Sequence, residues 1–290
     1  MRVHQVGVAS LGRAGCAGAL DGQRDGGCGQ LVRWMSPTFH VENYDLVGST
    51  NDLARERAEA GAPAGLVIRA DRQDAGRGRR GRSWSSPPGN LYCSLILRPT
   101  QPPAAVATLS FVTVTALGDV LAELLPQRDV RHKWPNDLLV EGCKISGILL
   151  ESAGTTSASG PALVIGLGVN IASHPEQTLY PVTDLMAQGA EPISPANLLE
   201  RFLQCFAHHY ATWEKGGFPA ILPAWRARAI GIGSEIVVRL EAETLTGKFT
   251  DLDADGTLLL EQAAGGTRRI AAGDIFLPGM MTPAAPETRG

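Results

Sequence analysis

The chain has 290 residues, of which 44% are hydrophobic, and its 26 basic and 29 acidic side chains leave a formal net charge of −3. Such a composition is typical of a soluble globular protein, and the charge excludes a general attraction to nucleic acid or anionic lipid. Any basic site must therefore be local. The five cysteines are widely spaced and form no CxxC pair, which argues against a disulfide framework and predicts a reducing compartment, the cytoplasm.

The first segment, residues 1–38, is rich in glycine and lacks hydrophobic periodicity, so we predict a flexible leader. Residues 39–230 are predicted to form one domain. The apolar run 104–118 is interrupted by Thr and Ser and is typical of a core helix rather than a membrane span. The predicted elements are a helix at 53–60, strands at 65–70 and 90–97, a helix at 105–125, a hairpin of 138–140 and 145–151, a strand at 162–171 and a helix over 198–213.

The pattern changes near Gly231. Four short alternating segments, separated by turns at Asp255–Gly256 and Gly265–Gly266, predict a small closed β-barrel over 231–279. The tail, 280–290, is rich in Pro, Ala and Thr and is predicted to be disordered. The order of strands and helices indicates an α+β or mixed α/β protein.

The strongest local motif is GRGRRGRSW, Gly76–Trp84, which we call the arginine loop. Its glycines let backbone N–H groups approach an anion, and its guanidinium groups add bidentate contacts to carboxylate or phosphate. The motif predicts a site for a highly charged anion such as a triphosphate. It also satisfies GxGxxG, but a dinucleotide fingerprint must open a helix, and Ser and Pro residues follow here. A solvated RNA-binding segment is the alternative for the loop alone, and the flanking strands count against it.

A second cluster is KWPND, followed closely by KISG. Asn136 and Asp137 lie at a turn before a strand, and Lys144 begins the next strand, where Gly147 offers close backbone approach. A lysine suits charge that develops on a phosphoryl oxygen. Only four of the 26 basic residues are lysines, and Lys133 and Lys144 both lie in this cluster. Taken singly, Asn136 and Asp137 would indicate an ordinary turn, and Lys144 would indicate a surface cation.

Two further motifs supply glycine and neutral polar groups. In IGLGVNI, Gly166 and Gly168 lie in a strand and would admit a ligand, and Asn170 would point its amide into the site, with tight sheet packing as the alternative. In GSTND, Ser49 and Thr50 suit helix capping. Together with Gln73, just before the arginine loop, they also predict a pocket for a polar, uncharged group.

These four motifs, in this order, resemble the biotin protein ligase (biotin–[acetyl-CoA-carboxylase] ligase) family over about residues 44–278. The resemblance implies an α+β fold: a class II aminoacyl-tRNA synthetase/biotin synthetase-like domain followed by an SH3-like β-barrel. It implies that ATP and Mg²⁺ activate the substrate biotin to biotinyl-5′-AMP. The biotinyl group would then pass to a lysine of the biotin carboxyl carrier protein of acetyl-CoA carboxylase. The protein would be cytoplasmic, without a membrane partner, and a monomer or homodimer.

The resemblance also implies roles for individual residues. Lys144 and Arg79 are implied as catalytic, and Trp84 is expected to cover the adenine. The residues implied to bind biotin are Ser49, Thr50, Gln73, Gly76, Arg77, Arg79, Lys144, Gly147 and Gly166. The residues implied to bind ATP are Arg79, Arg82, Trp84, Asn136, Asp137, Lys144 and Asn170. No metal ligand is assigned, although Asn136, Asp137 and Asn170 would face ATP and the metal.

Three other functions remain as alternatives. A lipoate or octanoate ligase or transferase shares the fold and the catalytic lysine, although GRGRRGRSW and KWPND favour biotin. An RNA-binding protein is disfavoured by the net charge of −3, and a biotin-binding regulator without catalysis is disfavoured by Lys144.

Two features depart from the family pattern. Many bacterial members carry an N-terminal winged helix-turn-helix, whereas the residues before the motifs here are glycine-rich, so we predict no DNA binding. Pro278 lies where some members carry a basic residue directed toward ATP, which leaves open a phosphate contact from the barrel.

Overall fold

A computed structural model describes residues 4–5, 38–154, 160–176, 178 and 180–277. The predicted leader lies outside the described residues except for 4–5 and 38, and both Pro278 and the predicted tail, 280–290, lie outside them as well. His4–Gln5 form a two-residue strand, β1, which pairs with the first strand of the catalytic region. This short strand differs from the leader that we predict, because the open edge of the sheet offers unpaired N–H and C=O groups.

The larger part of the chain is built on a mixed eight-stranded sheet with the order β1-β2-β3-β4-β8-β7-β6-β5. Its remaining strands are β2 His40–Val47, β3 Leu66–Gln73, β4 Leu91–Leu97, β5 Val130–Lys133, β6 Asp137–Val140, β7 Cys143–Ala153 and β8 Ala162–Val169. β2 and β3 are parallel and are joined by helix α1, Thr50–Glu59, the kind of crossover that a parallel pair requires. The other neighbouring strands in this sheet run antiparallel.

The central strand β4 is buried along its whole length and separates two layers. Leu91, Cys93, Leu95 and Leu97 belong to the large apolar core, whereas Ile96 packs in a smaller core with α1. Ser94 is fully buried and belongs to neither apolar core. The side of the sheet that carries α1 therefore contains a polar position in the middle of a buried strand.

The opposite layer consists of three helices: α2 Pro103–Ala107, α3 Leu109–Leu124 and α4 Pro195–Ala227. In the described part of the chain, one segment, Pro103–Leu124, is apolar and long enough to cross a membrane, but 72% of its apolar window is buried inside the protein. It is thus the core helix expected from the sequence. α4 continues well past the predicted helix, through a kink at Gly217, where φ is 64°.

The C-terminal part is a five-stranded antiparallel sheet with the order β12-β11-β10-β9-β13. Its strands are β9 Glu235–Arg239, β10 Thr244–Leu252, β11 Leu258–Glu261, β12 Thr267–Ile270 and β13 Asp274–Phe276. Trp134 Nε1 donates to the Gly256 carbonyl oxygen at 3.0 Å and links this barrel to the catalytic region. The α+β class with an SH3-like C-terminal barrel is confirmed.

Four strands were not predicted from the sequence: β1, β2, β5 and β13. β2 (HVENYDLV) and β5 (VRHK) are rich in polar residues, and β13 has only three residues. Short or polar strands give a weak period-two signal, so pairing with their neighbours decides their conformation.

Candidate functional site

An open cleft lies on the side of the large sheet that carries α1, next to the barrel. It is lined by all but two of the residues singled out from the sequence: Ser49, Thr50, Gln73, Arg77, Arg79, Arg82, Trp84, Asn136, Asp137, Lys144, Gly147 and Gly166. Residues from all four motifs, including the arginine loop, thus meet in one place.

Lys144 and Asp137 form an ion pair at the centre of the cleft, with 2.8 Å between Nζ and Oδ1. They lie on the predicted β6–β7 hairpin, whose turn uses left-handed backbone at Glu141 (φ 50°) and Gly142 (φ 75°). Asp137 pairs with Gly147, but a register shift makes Lys144 the partner of Leu139. Lys144 and Gly147 are three residues apart, so in a regular strand they would face opposite sides of the sheet. The bulge brings Lys144 to the side that Gly147 faces.

Aromatic rings surround the two central lysines. Lys144 Nζ lies 5.6 Å from the ring centroid of Trp84 and 5.4 Å from that of Tyr180. Lys133 Nζ lies 5.9 Å from the Tyr180 centroid and 5.0 Å from that of Phe276 in β13. Burial lowers the pKa of Lys133, and the charge of Lys144 acts in the same direction, whereas the charge of Asp137 opposes both.

Tyr180 lines the cleft and was not identified from the sequence. It comes after β8 in an irregular segment, and no motif marks it. The neighbouring backbone is tied to the hairpin, because Lys144 N–H donates to the Pro181 carbonyl at 2.8 Å and Thr183 N–H donates to the Lys144 carbonyl at 2.9 Å.

The arginine loop folds back on itself as a tight turn. Trp84 N–H donates to the Gly76 carbonyl at 2.8 Å, and Gly78 N–H donates to the Arg82 carbonyl at 2.7 Å. Arg80 (φ 55°) and Gly81 (φ 70°) adopt left-handed backbone at the tip. The turn directs the neighbouring arginines toward different partners.

Arg79 is half-buried, and its hydrogen-bond partners among the described residues are neutral. Its Nη1 donates to Asn136 Oδ1 at 2.8 Å and its Nη2 to the Gly273 carbonyl at 3.4 Å. Burial lowers the pKa of this guanidinium, against the opposing effect of Asp274 and Asp137. A buried cation without an ion pair favours the approach of an anion.

Arg82, in contrast, forms an ion pair with Asp274 of the barrel. Its Nη2 lies 2.6 Å from Asp274 Oδ2, and Arg80 Nη1 lies 3.7 Å from the same oxygen. Burial raises the pKa of Asp274, but the hydrogen bond and the charge of Arg82 outweigh burial, so the pKa lies below its usual value. Asp274 also lines the cleft, and sequence reasoning missed it because it lies 192 residues from Arg82 in the chain.

The other end of the cleft is neutral and buried. Thr50 N–H donates to Gln73 Oε1 at 2.8 Å, with Thr50 Oγ1 at 3.1 Å from the same oxygen. Ser49 occupies the N-cap position of α1, but its side chain makes no capping hydrogen bond, although it is only 5% exposed. Its hydroxyl lines the cleft and can bind a ligand.

Two residues predicted to face the ligand lie elsewhere. Asn170 is 3% exposed and its Nδ2 donates to the Thr183 carbonyl at 3.0 Å, so its amide supports the segment behind Lys144. A Cβ at Gly76 would lie 2.6 Å from Ser86 Oγ, so this glycine makes room for the side chains behind the pocket. We therefore leave Asn170 and Gly76 out of the proposed ligand contacts.

The strand glycines also act differently from the prediction that they admit a ligand. A Cβ at Gly166 would lie 2.1 Å from Asn51 Oδ1. At Gly147 it would lie 3.1 Å from the Trp84 ring, and at Gly168 the distance to the same ring would be 2.6 Å. These glycines make room for protein side chains, because a larger residue would displace Asn51 and Trp84.

The described residues contain no group of three or more His, Cys, Asp or Glu side chains that could bind a metal by themselves. The acidic side chains that line the cleft are Asp137 and Asp274. A metal here would thus need ligands from a bound substrate.

Family models match most of the catalytic region and the barrel. The Biotin/lipoate A/B protein ligase family model matches residues 44–170, and the biotin protein ligase C terminal domain model matches residues 231–277. Both matches agree with the resemblance inferred from the motifs.

Individual relatives match over most of their length. The chain is 38% identical to a biotin–[acetyl-CoA-carboxylase] ligase of Paracoccus denitrificans over 80% of this chain and 98% of the relative. It is 35% identical to the bifunctional ligase/repressor BirA of Bacillus subtilis (strain 168), over 82% of this chain and 74% of that protein. The structure of the Aquifex aeolicus biotin protein ligase in complex with biotin and ATP matches with a TM-score of 0.68 and 26% identity, covering 81% of this chain and 97% of that one. The chain therefore belongs to the biotin protein ligase family.

Proposed function

We propose that this cleft joins biotin to ATP and then passes the biotinyl group to a lysine of a carrier protein. The observation that carries the proposal is the position of Arg79, a half-buried cation whose hydrogen-bond partners among the described residues are neutral, in the same cleft as the neutral pocket of Ser49, Thr50 and Gln73. A ligand with an uncharged polar head and an anionic end complements both parts of this cleft. Biotin has this form, with its ureido ring at one end and its carboxylate at the other.

The reaction has two steps. A biotin carboxylate oxygen bonds to the α-phosphorus of ATP, and the bond from that phosphorus to the pyrophosphate oxygen breaks. The neutral amine of the acceptor lysine then attacks the acyl carbon, loses a proton and releases AMP. Both substrates in the first step are anions, so cations that hold them together and offset the developing charge lower the barrier.

The residue roles follow from the partners of each side chain. We assign Lys144 to the α-phosphate and the biotin carboxylate, and Arg79 to the phosphate and the adenylate. Arg82 binds phosphate in exchange for Asp274, and Trp84 covers the adenine. Ser49, Thr50 and Gln73 hold the ureido ring.

Asp137 fits a role in binding Mg²⁺. This ion is usually held by one or two carboxylates together with substrate phosphates, and the Asp137 carboxylate lines the cleft next to Lys144. When bound, the ion would neutralise phosphate charge.

The partner and the domain division remain part of the proposal. The acceptor is the carrier domain of acetyl-CoA carboxylase, the protein for which the Paracoccus relative is named. We place the catalytic domain at 39–230 and the barrel at 231–279. The thiols of Cys93 and Cys143, which form no disulfide in the described part of the chain, agree with the cytoplasm as the compartment.

The test is incubation of the chain with ATP, Mg²⁺, biotin and a carrier domain, read by the mass of the carrier. We expect the addition of one biotinyl group, and none when the acceptor lysine is replaced. Biotin and lipoate are compared in parallel by ATP–pyrophosphate exchange. Exchange that depends on lipoate and not on biotin would assign the chain to lipoate chemistry and overturn the proposal.

A further inference from the structure

Arg77, at the start of the arginine loop, is held by acidic residues rather than left open to an anion. Its Nη1 donates to Asp52 Oδ1 in α1 at 2.6 Å. Its Nη2 donates to both oxygens of Glu151 in β7, at 2.9 and 2.8 Å. Two carboxylates around one guanidinium leave no excess positive charge at this point. Arg77 therefore differs from Arg79, two residues further on, which has only neutral partners among the described residues.

Glu151 also contacts the neutral pocket. Asn51 Nδ2 donates to Glu151 Oε2 at 2.7 Å, so the oxygen that binds Arg77 binds Asn51 as well. On its other side, Asn51 Oδ1 lies 2.6 Å from Ser94 Oγ, and the same hydroxyl lies 2.8 Å from Thr50 Oγ1. Polar contacts thus run from Arg77 through Glu151 to the residues proposed to hold the ureido ring.

The contacts continue from the pocket to the far end of the loop. Thr50 is bound to Gln73 Oε1, and Gln73 Nε2 donates to Ser86 Oγ at 2.9 Å. Ser86 Oγ in turn donates to the Trp84 carbonyl at 3.0 Å. Both ends of the arginine loop are therefore connected through the interior of the neutral pocket.

The middle of this network has little freedom to rearrange. Asn51 and Thr50 are each 4% exposed and Ser94 is fully buried. Asn51 fills the space that Gly166 leaves, where a Cβ would lie 2.1 Å from its Oδ1. Buried hydrogen bonds in a fully partnered network support one another, and a member that loses its partner cannot replace it with water.

We propose that Glu151 is a positioning residue that anchors the arginine loop through Arg77 and couples the loop to the biotin pocket through Asn51. Arg77 then serves to place the loop, and Arg79 makes the substrate contact. This inference rests on the proposed function, because that function assigns the ligands of the pocket and of the loop.

A double-mutant cycle with Glu151→Ala and Arg77→Ala tests the proposal. Each single variant is expected to raise the KM for biotin and the rate of biotinyl-AMP escape by about tenfold, the scale of one charge-assisted hydrogen bond. The kcat of pyrophosphate exchange at saturating substrates should change less. Since Glu151 acts on the loop through Arg77, removing Arg77 as well should add nothing to the loss, and the double variant should retain the adenylate no worse than Glu151→Ala alone.

Two further variants keep the result interpretable. Asp52→Ala removes the other partner of Arg77 without touching Asn51, and it should speed adenylate escape by about threefold even if Glu151→Ala fails to fold. Glu243→Ala breaks the exposed Arg268–Glu243 ion pair on the barrel. It should leave the KM for biotin, the kcat of exchange and the rate of biotinyl-AMP escape unchanged.

The outcomes separate this inference from the proposed function. Absence of biotin-dependent ATP–pyrophosphate exchange in the unmodified chain would contradict the proposed function. If that exchange is present, the inference is overturned when the increases in biotinyl-AMP escape caused by Glu151→Ala and by Arg77→Ala multiply in the double variant. It is also overturned if neither Glu151→Ala nor Asp52→Ala changes adenylate retention.

Discussion

The two ends of the cleft hold their polar groups in different ways. At the neutral end, Ser49, Thr50 and Gln73 lie at or next to the ends of β2, α1 and β3, and Thr50 is hydrogen-bonded to Gln73. At the charged end, Lys144 is paired with Asp137 in the same hairpin, and Arg82 is paired with Asp274 of the barrel. One end is thus set by hydrogen bonds between neutral groups, and the other by ion pairs.

This difference matches the ligands proposed for each end. Hydrogen bonds to an uncharged ring depend on direction, so their donors and acceptors need a rigid frame. A phosphate can take the place of a carboxylate beside a cation, since both are anions that accept hydrogen bonds from Lys and Arg. Arg79 is the exception at the charged end, because an incoming anion displaces no carboxylate there.

The largest effect should come from Lys144, where the charged end meets the reacting atoms. Lys144→Ala is expected to slow biotin-dependent ATP–pyrophosphate exchange by roughly 10²–10⁴-fold, because its charge acts in the transition state. Lys248→Ala, an exposed lysine on β10, is the matched control. Exchange near that of the unmodified chain in Lys144→Ala would contradict the assignment of Lys144.

Arg79 should matter next, through retention of the intermediate. Arg79→Ala should release biotinyl-AMP about 10–100-fold faster, because bidentate contacts to the adenylate are lost. Escape is measured as biotinylation of lysines on a bystander protein. Arg268→Ala removes an exposed arginine of the barrel and should not change the rate at which biotinyl-AMP escapes. Unchanged retention in Arg79→Ala would show that an unpaired cation is not the main anion contact.

Ser49 provides the test of the neutral end. Ser49→Ala should raise the KM for biotin by about tenfold and leave the KM for ATP unchanged, since a buried hydroxyl that serves the ligand is lost. Its melting temperature should not change, because Ser49 makes no capping hydrogen bond. Ser194, by contrast, accepts from Asn197 N–H at 3.2 Å as the cap of α4. Ser194→Ala should therefore lower the melting temperature and leave the KM for biotin as it is, and the reverse pattern would assign Ser49 to capping alone.

Tyr180 should give the smallest effect at the charged end. Its ring lies 5.4 Å from Lys144 Nζ and 5.9 Å from Lys133 Nζ. Loss of these cation–π contacts in Tyr180→Leu should lower kcat by about three- to tenfold. Tyr180→Phe keeps the ring and should behave like the unmodified chain. Equal losses in both variants would mean that the phenol oxygen matters, not the ring.

Much of the fold could be predicted where the sequence carries a strong local signal. Leu91–Leu97 is a continuous apolar strand, and Leu109–Leu124 has the composition of a core helix. The arginine loop and KWPND are contiguous, so their residues could be identified without knowledge of the fold. The hairpin of 138–140 and 145–151 was also predicted, and its turn residues Glu141 and Gly142 adopt left-handed backbone.

The tertiary structure decided what these residues contact. A bulge in β7 turns Lys144 toward Asp137, and a one-residue change of register leaves no mark in the sequence. Asp274 and Tyr180 reach the cleft from distant segments, and Arg77 and Arg79, two residues apart, receive opposite environments. The sequence by itself determined the family, the fold class and most residues of the site, because these depend on local pattern and motif. Only the tertiary structure decided which cations are neutralised and which one is open to an anion, because this depends on partners far apart in the chain.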